Sequence, residues 1–224
     1  RVVGAPATGI IELFGVLYTL PSPDRPARHQ RWTPGEGGFP TANLAVRRSL
    51  LDALGGFDTR VLLYGEDYDL CARVYSRGRA IAYTPEARIA HHHRTTLRGM
   101  LRQAFGFGRA HAYLLRRHAA GLWVDLPRGS LVWERCPARA WIDLAAADKK
   151  VVALLVLSVL YGPLVVLLLA YAGWLVVTTG GRARRVAGVS PATGFALTGL
   201  LLLKSAAMTA GRWWGSVRHG ALCF

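Results

Sequence analysis

Acidic residues are scarce and stop early: the chain has 13 aspartates and glutamates against 28 lysines and arginines, and no acid follows Asp148. Lysine is almost missing too, since 25 of the 28 cations are arginine, and the net charge is +15. There are three cysteines, Cys71, Cys136 and Cys223, an odd number without close spacing. That excludes a disulfide framework and a cysteine zinc cluster, and it fits a reducing compartment. No basic head with a long apolar core opens the first 30 residues, so a secretory leader is not expected, and the start at Arg1 suggests an N-terminally incomplete piece. With 224 residues, 52% of them apolar, the chain is neither a large multidomain assembly nor a disordered tail.

Charge is absent altogether from Val151 to Val177. About 20 apolar residues cross ~30 Å of hydrocarbon, so this run reads as one transmembrane helix (151–177), kinked at Gly162 and Pro163. Divided in two, each piece is too short to span. A second apolar stretch, 186–210, is interrupted by Pro191 and Lys204, and two placements follow for it: a second span, or a re-entrant segment. With two spans, Arg135, Arg139, Lys149, Lys150, Arg212 and Arg218 lie on one side and Arg182, Arg184 and Arg185 on the other, which puts the chain ends in the cytoplasm.

Residues 1–34 hold an apolar stretch, Ile10 to Leu20, and a proline- and arginine-rich loop without an assignable site. GEGGFP from Gly35 reads as a loop, TANLAV as a short strand, and Arg48 to Leu54 as a helix capped by Ser49 and closed by Gly55 and Gly56. Leu62 to Gly78 reads as a loop and then a helix that begins near Glu66. Glu66, Asp67 and Asp69 crowd its first turn. There they offset the helix's partial positive charge, and the same field keeps a carboxylate ready to accept a proton or hold a cation. Ala80 to Tyr83 and Ala87 to His93 read as extended, with His91 and His93 on one face and His92 on the other. Thr95 to His118 carries a helical pattern with Arg98, Arg102, Arg109 and Arg116 in one stripe. It reads as a basic interfacial helix over 95–120, weakened by its glycines and with a break expected near Phe105 to Gly108. A linker (121–150) precedes the membrane run, and a basic tail (211–224) ends the chain.

Taken in order, GGFPTANLAVRR, LGGFD, GEDYDLCARVYSRG, PEARIAHHHR and RQAFGFGRA resemble the C-terminal half of family 2 glycosyltransferases, over about residues 35 to 110. The resemblance implies an α/β fold, the C-terminal part of a GT-A (Rossmann-like) domain, with residues 1–94 as its acceptor half. It further implies inverting transfer of a sugar from a nucleotide-sugar donor, with a divalent metal (Mg2+ or Mn2+) steadying the departing diphosphate. On that reading Asp67 is the general base, Glu66 supports the loop or touches the acceptor, Asn43 and Asp69 face the acceptor, Arg94 meets the diphosphate, and His91 ligates the metal. The family's nucleotide-binding half, with its aspartate pair, should precede residue 35, and nothing there supplies it. The RHQRW stretch (Arg28 to Trp32) is like a motif of processive synthases but precedes the acidic motif instead of following it, which favours single-sugar transfer. The expected partners are a donor, a lipid-linked or envelope-glycan acceptor and the cytoplasmic membrane, with the catalytic part facing the cytoplasm and no nucleic acid. The competing reading is a noncatalytic membrane scaffold that lacks the donor half.

Overall fold

The computed structural model describes residues 1–20, 22–60 and 64–224. Leu62 and Leu63, the expected start of the loop before Glu66, lie outside them. The order is β1 (Val2–Gly4), α1 (Ile10–Tyr18), β2 (Ala27–His29), α2 (Arg48–Ala53), α3 (Glu66–Ser76), β3 (Ile81–Tyr83), β4 (Ile89–His91), α4 (Leu97–His118), β5 (Gly121–Leu126), β6 (Gly129–Trp133), β7 (Arg139–Asp143), α5 (Ala147–Leu160), α6 (Val165–Ala187), α7 (Thr193–His219) and β8 (Leu222–Cys223). The architecture is mixed α and β. β1 pairs in parallel with β4, Gly4 opposite His91, and β2 runs antiparallel to β3. A third sheet has the order β6-β5-β7-β8.

Several expectations change here. TANLAV is no strand but a 3-10 turn (Thr41–Asn43) followed by extended chain, and Ser49 does not cap α2, whose N-cap is Arg47 without a side-chain bond. Gly55 and Gly56 do close α2, both with positive φ. Residues 121–150 are not a linker: GLWVDL and GSLVW form a hairpin joined by Pro127 and Arg128, β7 adds to it in parallel, and the supposed tail ends in β8 on the same sheet. The chargeless run is two helices, because Tyr161 leaves helical geometry and a 3-10 turn (Gly162–Leu164) separates α5 from α6. The ring of Pro163 cannot continue an α-helix started upstream.

α4 is unbroken, and its glycines are where another helix lies against it. α7 runs alongside in the same direction: Met100 meets Leu197 and Leu200 in one core cluster, and farther on Gly211 sits on Phe105 and Arg109, and Gly215 on Arg109 and Ala112. A Cβ on Gly211 would overlap the carbonyl of Phe105, and one on Gly108 the carbonyl of Met208. Thr96 starts α4 by accepting the amide of Gly99 at 3.1 Å, a side-chain N-cap. At the other end Arg212, 3% exposed, joins α7 to the third sheet, with Nη1 2.9 Å from Asp143 and its guanidinium 4.6 Å from the Trp141 ring centroid.

α3 is fixed to α4 by one carboxylate. Asp69 is fully buried; its Oδ2 accepts from Arg73 Nε at 2.7 Å, and its Oδ1 lies 2.7 Å from His118 Nε2 and 3.3 Å from Arg117 Nε. Arg73 also donates to the carbonyls of Leu54 and Gly56, both at 2.9 Å, which brings the end of α2 into the same junction. Arg117 further pairs with Asp58, whose carboxylate also accepts from Arg60 at 2.8 Å. Burial alone would push Asp69 up, but the hydrogen bonds from His118 and Arg73 outweigh it, and its pKa falls below the ordinary carboxylate value.

Two predictions follow from these contacts. Asp69→Ala leaves Arg73, Arg117 and His118 around an uncompensated hole and should lose about 3–5 kcal/mol in denaturant unfolding of the detergent-solubilised protein. Since the folded pKa is depressed, the stability Asp69 supplies is present above its unfolded pKa and is lost as pH falls through the folded one, below about pH 4. For the helix pair, Gly211→Ala should destabilise by about 1–3 kcal/mol through overpacking, although alanine is the better helix former. Gly199→Ala, on the same helix with open space around it, should be neutral or stabilising by up to about 1 kcal/mol. Equal effects at both positions would mean that α4 and α7 do not approach as described.

Candidate active site

The first turn of α3 is aimed by the glycine before it. Gly65 has φ 91°, a conformation that favours glycine, and a Cβ there would press on Ala110 of α4 at 2.9 Å. Tyr64, just before, lays its ring over Gly106, with the Phe107 ring 5.3 Å away. The turn that presents Glu66 and Asp67 is therefore seated on α4.

The glycine-rich loop packs on the other side of α3. Gly38 touches the Tyr68 ring, where a Cβ would come within 2.6 Å; Tyr75 Oη donates to the Gly37 carbonyl at 2.9 Å, and Cys71 Sγ lies 3.8 Å from the Phe39 carbonyl. This carries the Thr41–Asn43 turn to Asp67, whose carboxylate takes the amide of Tyr68 at 2.9 Å and feels a further backbone bond from Thr41. Burial and the neighbouring Glu66 charge outweigh those amides and push Asp67 up to about 6. Glu66 Oε2 is buried without a hydrogen-bond partner. Burial likewise raises the Tyr68 phenol to about 12, so it stays a neutral donor at physiological pH.

Next to this turn is a cleft of about 1010 Å3 between α2, α3, β3 and the chain 43–47. Leu70, Cys71 and Val74 of α3 line it, together with Arg28, Arg47 and Arg79. These α3 positions continue, at helical spacing, the stripe that starts with Asp67. Asp67 itself is not part of the lining.

The other expected site residues fare differently. Asn43 lines the cleft, but its Nδ2 is committed to the carbonyls of Ala87 at 2.8 Å and Arg1 at 3.1 Å, so it fixes the loop beside β4. Asp69 turns into the α3–α4 junction, with both oxygens engaged and no exposed surface. Contrary to the expectation from sequence, it cannot face an acceptor from there. His91 ends β4 beside β1, its ring centroid 4.9 Å from that of His93, and Arg94 is exposed just beyond. Trp32 of RHQRW stands edge-on to His118, 6.1 Å between centroids, above the Asp69 junction. Arg117, His118 and Asp58 were not anticipated as a group; the one available signal was Asp58 inside LGGFD.

His91 Nδ1 is buried without a partner, which suits a metal ligand. The rest of the donor set does not. Burial and the nearby Arg94 and His92 charges lower the His91 pKa, so the local field is already positive, and among the described residues no three His, Cys, Asp or Glu side chains converge. The acid nearest the triplet in its effects is Glu12 of α1, and it accepts from the amide of Thr8 at 2.9 Å and from the Thr8 hydroxyl. The residues present offer one ligand and do not make a metal site.

Residues 26–209 match the family described as glycosyl transferase family group 2. A pre-mycofactocin glycosyltransferase of Mycobacterium tuberculosis is 39% identical over 79 residues, 35% of this chain and 17% of that protein. An N-acetylglucosaminyl-diphospho-decaprenol L-rhamnosyltransferase of the same organism is 33% identical over 115 residues, 50% of this chain and 34% of that one. The O-antigen chain rhamnosyltransferase WbaN of Salmonella anatum is 41% identical over 68 residues, 30% of this chain and 21% of its own length. The chain thus spans about a third or less of the length of these relatives. No solved structure matches it. A family match over more than four fifths of the residues, which takes in the Asp67 turn, the histidine triplet and α4, is decisive: this chain belongs to family group 2 of the glycosyl transferases.

Proposed function

We propose that this chain is the acceptor-side, membrane-associated part of an inverting glycosyltransferase, in which Asp67 is the general base. The observation that carries the reading is the Asp67 carboxyl, raised to about 6 on a rigid turn beside an open cleft. A base of that pKa is ionised at physiological pH and basic enough to take a proton from an alcohol as its oxygen becomes nucleophilic. In the proposed step the acceptor O–H gives its proton to Asp67, the oxygen bonds to the anomeric carbon, and the bond from that carbon to the diphosphate breaks. The diphosphate leaves with the electron pair, and one displacement inverts the centre.

Around that step, Glu66 keeps the Asp67 pKa up by its charge, and Thr41 and Tyr68 hold the carboxylate through backbone amides. Arg94, exposed at the end of the His91 strand, is placed to meet phosphate oxygens, for which a guanidinium is a good partner. Enzymes of this family generally work with a divalent cation, but the residues here supply at most His91, so no step is routed through a metal. The donor's nucleotide would be held outside these residues. Acceptors named for the relatives, a diphospho-decaprenol-linked sugar and an O-antigen chain, support a lipid-linked or envelope-glycan acceptor, and the apolar helices support work at a membrane. Facing of the catalytic part to the cytoplasm is part of the same proposal.

Asp67→Asn tests this in the full-length protein. Transfer should fall by at least about a hundredfold, the contribution of a general base. Wild-type kcat/KM should show an acidic limb with an apparent pKa of about 6, and the limb should vanish in the variant. Stability should move the other way. The folded pKa lies above the ordinary 3.8, so the stability tied to this group is complete below about pH 4 and is lost as pH rises through about 6. At pH 8 Asp67→Asn should therefore be more stable than wild type by roughly 1–2 kcal/mol. Wild-type rates in Asp67→Asn would remove Asp67 as the base.

A further inference from the structure

We infer that the α5–α6 segment enters one leaflet of a bilayer as a re-entrant hairpin and returns to the face it left, so that neither it nor α7 crosses the membrane.

The hairpin has its two feet on the same body. At the start of α5, Asp148 accepts from Ser205 at 2.5 Å and from Thr209 at 2.8 Å, and the buried Lys149 donates to Thr209 at 3.1 Å. In the second half of α6, Thr179 donates to the Gly194 carbonyl at 3.0 Å and meets the Thr198 hydroxyl at 3.0 Å, while Gly180 lies against Pro191. The hydrogen-bond partners of both feet belong to α7, Pro191 lying just before it, and they are only about 16 Å apart along it at 1.5 Å per residue. A straight helix from Asp148 to Thr179 would put them ~46 Å apart, so the chain has to turn back. It does so at Tyr161 and the Gly162–Leu164 turn.

The body that holds the feet also carries the histidine strand. α6 ends with the Arg182 guanidinium 4.8 Å from the Tyr18 ring centroid of α1, and Ala183 shares a core with Leu13, Phe14 and Leu17. α1 in turn packs Gly15 against His93 and Val16 against Gly4. α7 cannot leave that face either, because Lys204 donates to the Tyr18 carbonyl at 2.6 Å, Arg212 is tied to Asp143, and α4 follows it closely past both. Moving α6's end or α7's start across a bilayer would tear α1 from β1 and β4.

What projects is apolar and uncovered. Val159 is 79% exposed, Leu160 77%, Tyr161 63% and Val166 65%, and residues 151–181 contain no charge. By length and composition alone, 162–187 and α7 could each cross a membrane, but the arm of α6 that stands free of the Thr179 foot, Val165 to Thr179, is ~21 Å long, short of the ~30 Å hydrocarbon thickness and enough for one leaflet. At its foot Arg182, Arg184 and Arg185 are exposed, with nothing but arginine as charge, at the level where lipid phosphates would lie. The occupant is thus one leaflet of an anionic bilayer. All nine cations near the membrane then lie on one side, where a two-span reading divides them six and three.

Thiol labelling settles the topology in full-length protein carrying Cys136→Ser, Cys71 and Cys223 being buried, with any exposed cysteine outside residues 1–224 also replaced by serine. Ser76→Cys on α3, Tyr161→Cys at the tip and Ser190→Cys beyond α6 are each exposed to a membrane-impermeant maleimide in sealed vesicles of both orientations. Ser76→Cys and Ser190→Cys should react in the same orientation, and Tyr161→Cys in neither until detergent is added. Reaction of Ser190→Cys or Tyr161→Cys in the opposite orientation would show a crossing helix and overturn the inference. Reaction of Tyr161→Cys alongside Ser76→Cys would overturn it as well, by placing the tip in water, and so would a Ser190→Cys that reacts only in detergent. None of these results depends on sugar transfer, so the topology stands or falls separately from the role of Asp67.

Discussion

A carboxylate without solvent contact joins the parts of this protein that matter to one another. Asp69 receives Arg73 from its own helix and His118 and Arg117 from α4, while Arg73 reaches on to the end of α2. A buried charge is tolerable only when paired and hydrogen-bonded, and here the partners come from separate segments. Satisfying Asp69 therefore fixes α3 against α4, and α4 in turn against α7. Without that junction the turn at Gly65 would have no seat, and Asp67 no defined position.

Asp69 follows Asp67 by two positions, and at ~100° per residue that step turns them to different sides of α3. One side meets arginines and a histidine and holds an anchor that stays ionised to below the ordinary carboxylate value. The other is buried beside the Glu66 charge, burial and charge together outweigh the backbone amides of Tyr68 and Thr41, and there the carboxyl is harder to ionise. One helical turn thus holds two aspartates with opposite electrostatics, and in the proposed reaction only the second does chemistry. The anchor keeps its charge at the pH where the base is losing its own.

Much of this could be read in the sequence, and the limits have physical causes. α3 was legible from its acids, its apolar spacing and the glycine after it, and the close of α2 from Gly55 and Gly56. That Asp69 is a buried anchor and not an acceptor contact was not legible, because it shares the first turn with Asp67 and the partners that reveal it, Arg117 and His118, are about 50 residues away. The glycines of α4 looked like weak points in an interfacial helix; they are the surface on which α7 and Tyr64 lie. The β5–β6 hairpin did carry a signal, two apolar strands around Pro127 and Arg128, but the nearby membrane run drew the segment into a linker. Pro163 was recognised as a kink, and only the hydrogen bonds of Asp148 and Thr179 to one helix reveal that the chain reverses there.

The central claim, that α3 holds an anchoring carboxylate and a raised one two residues apart, is tested most directly by titrating Asp67 itself. Infrared difference spectra of wild type minus Asp67→Asn, recorded from pH 4 to 8, isolate that carboxyl. A carboxylate band growing in with a midpoint of about 6 is the predicted result. A midpoint at or below about 4, the ordinary aspartate value, would contradict the account.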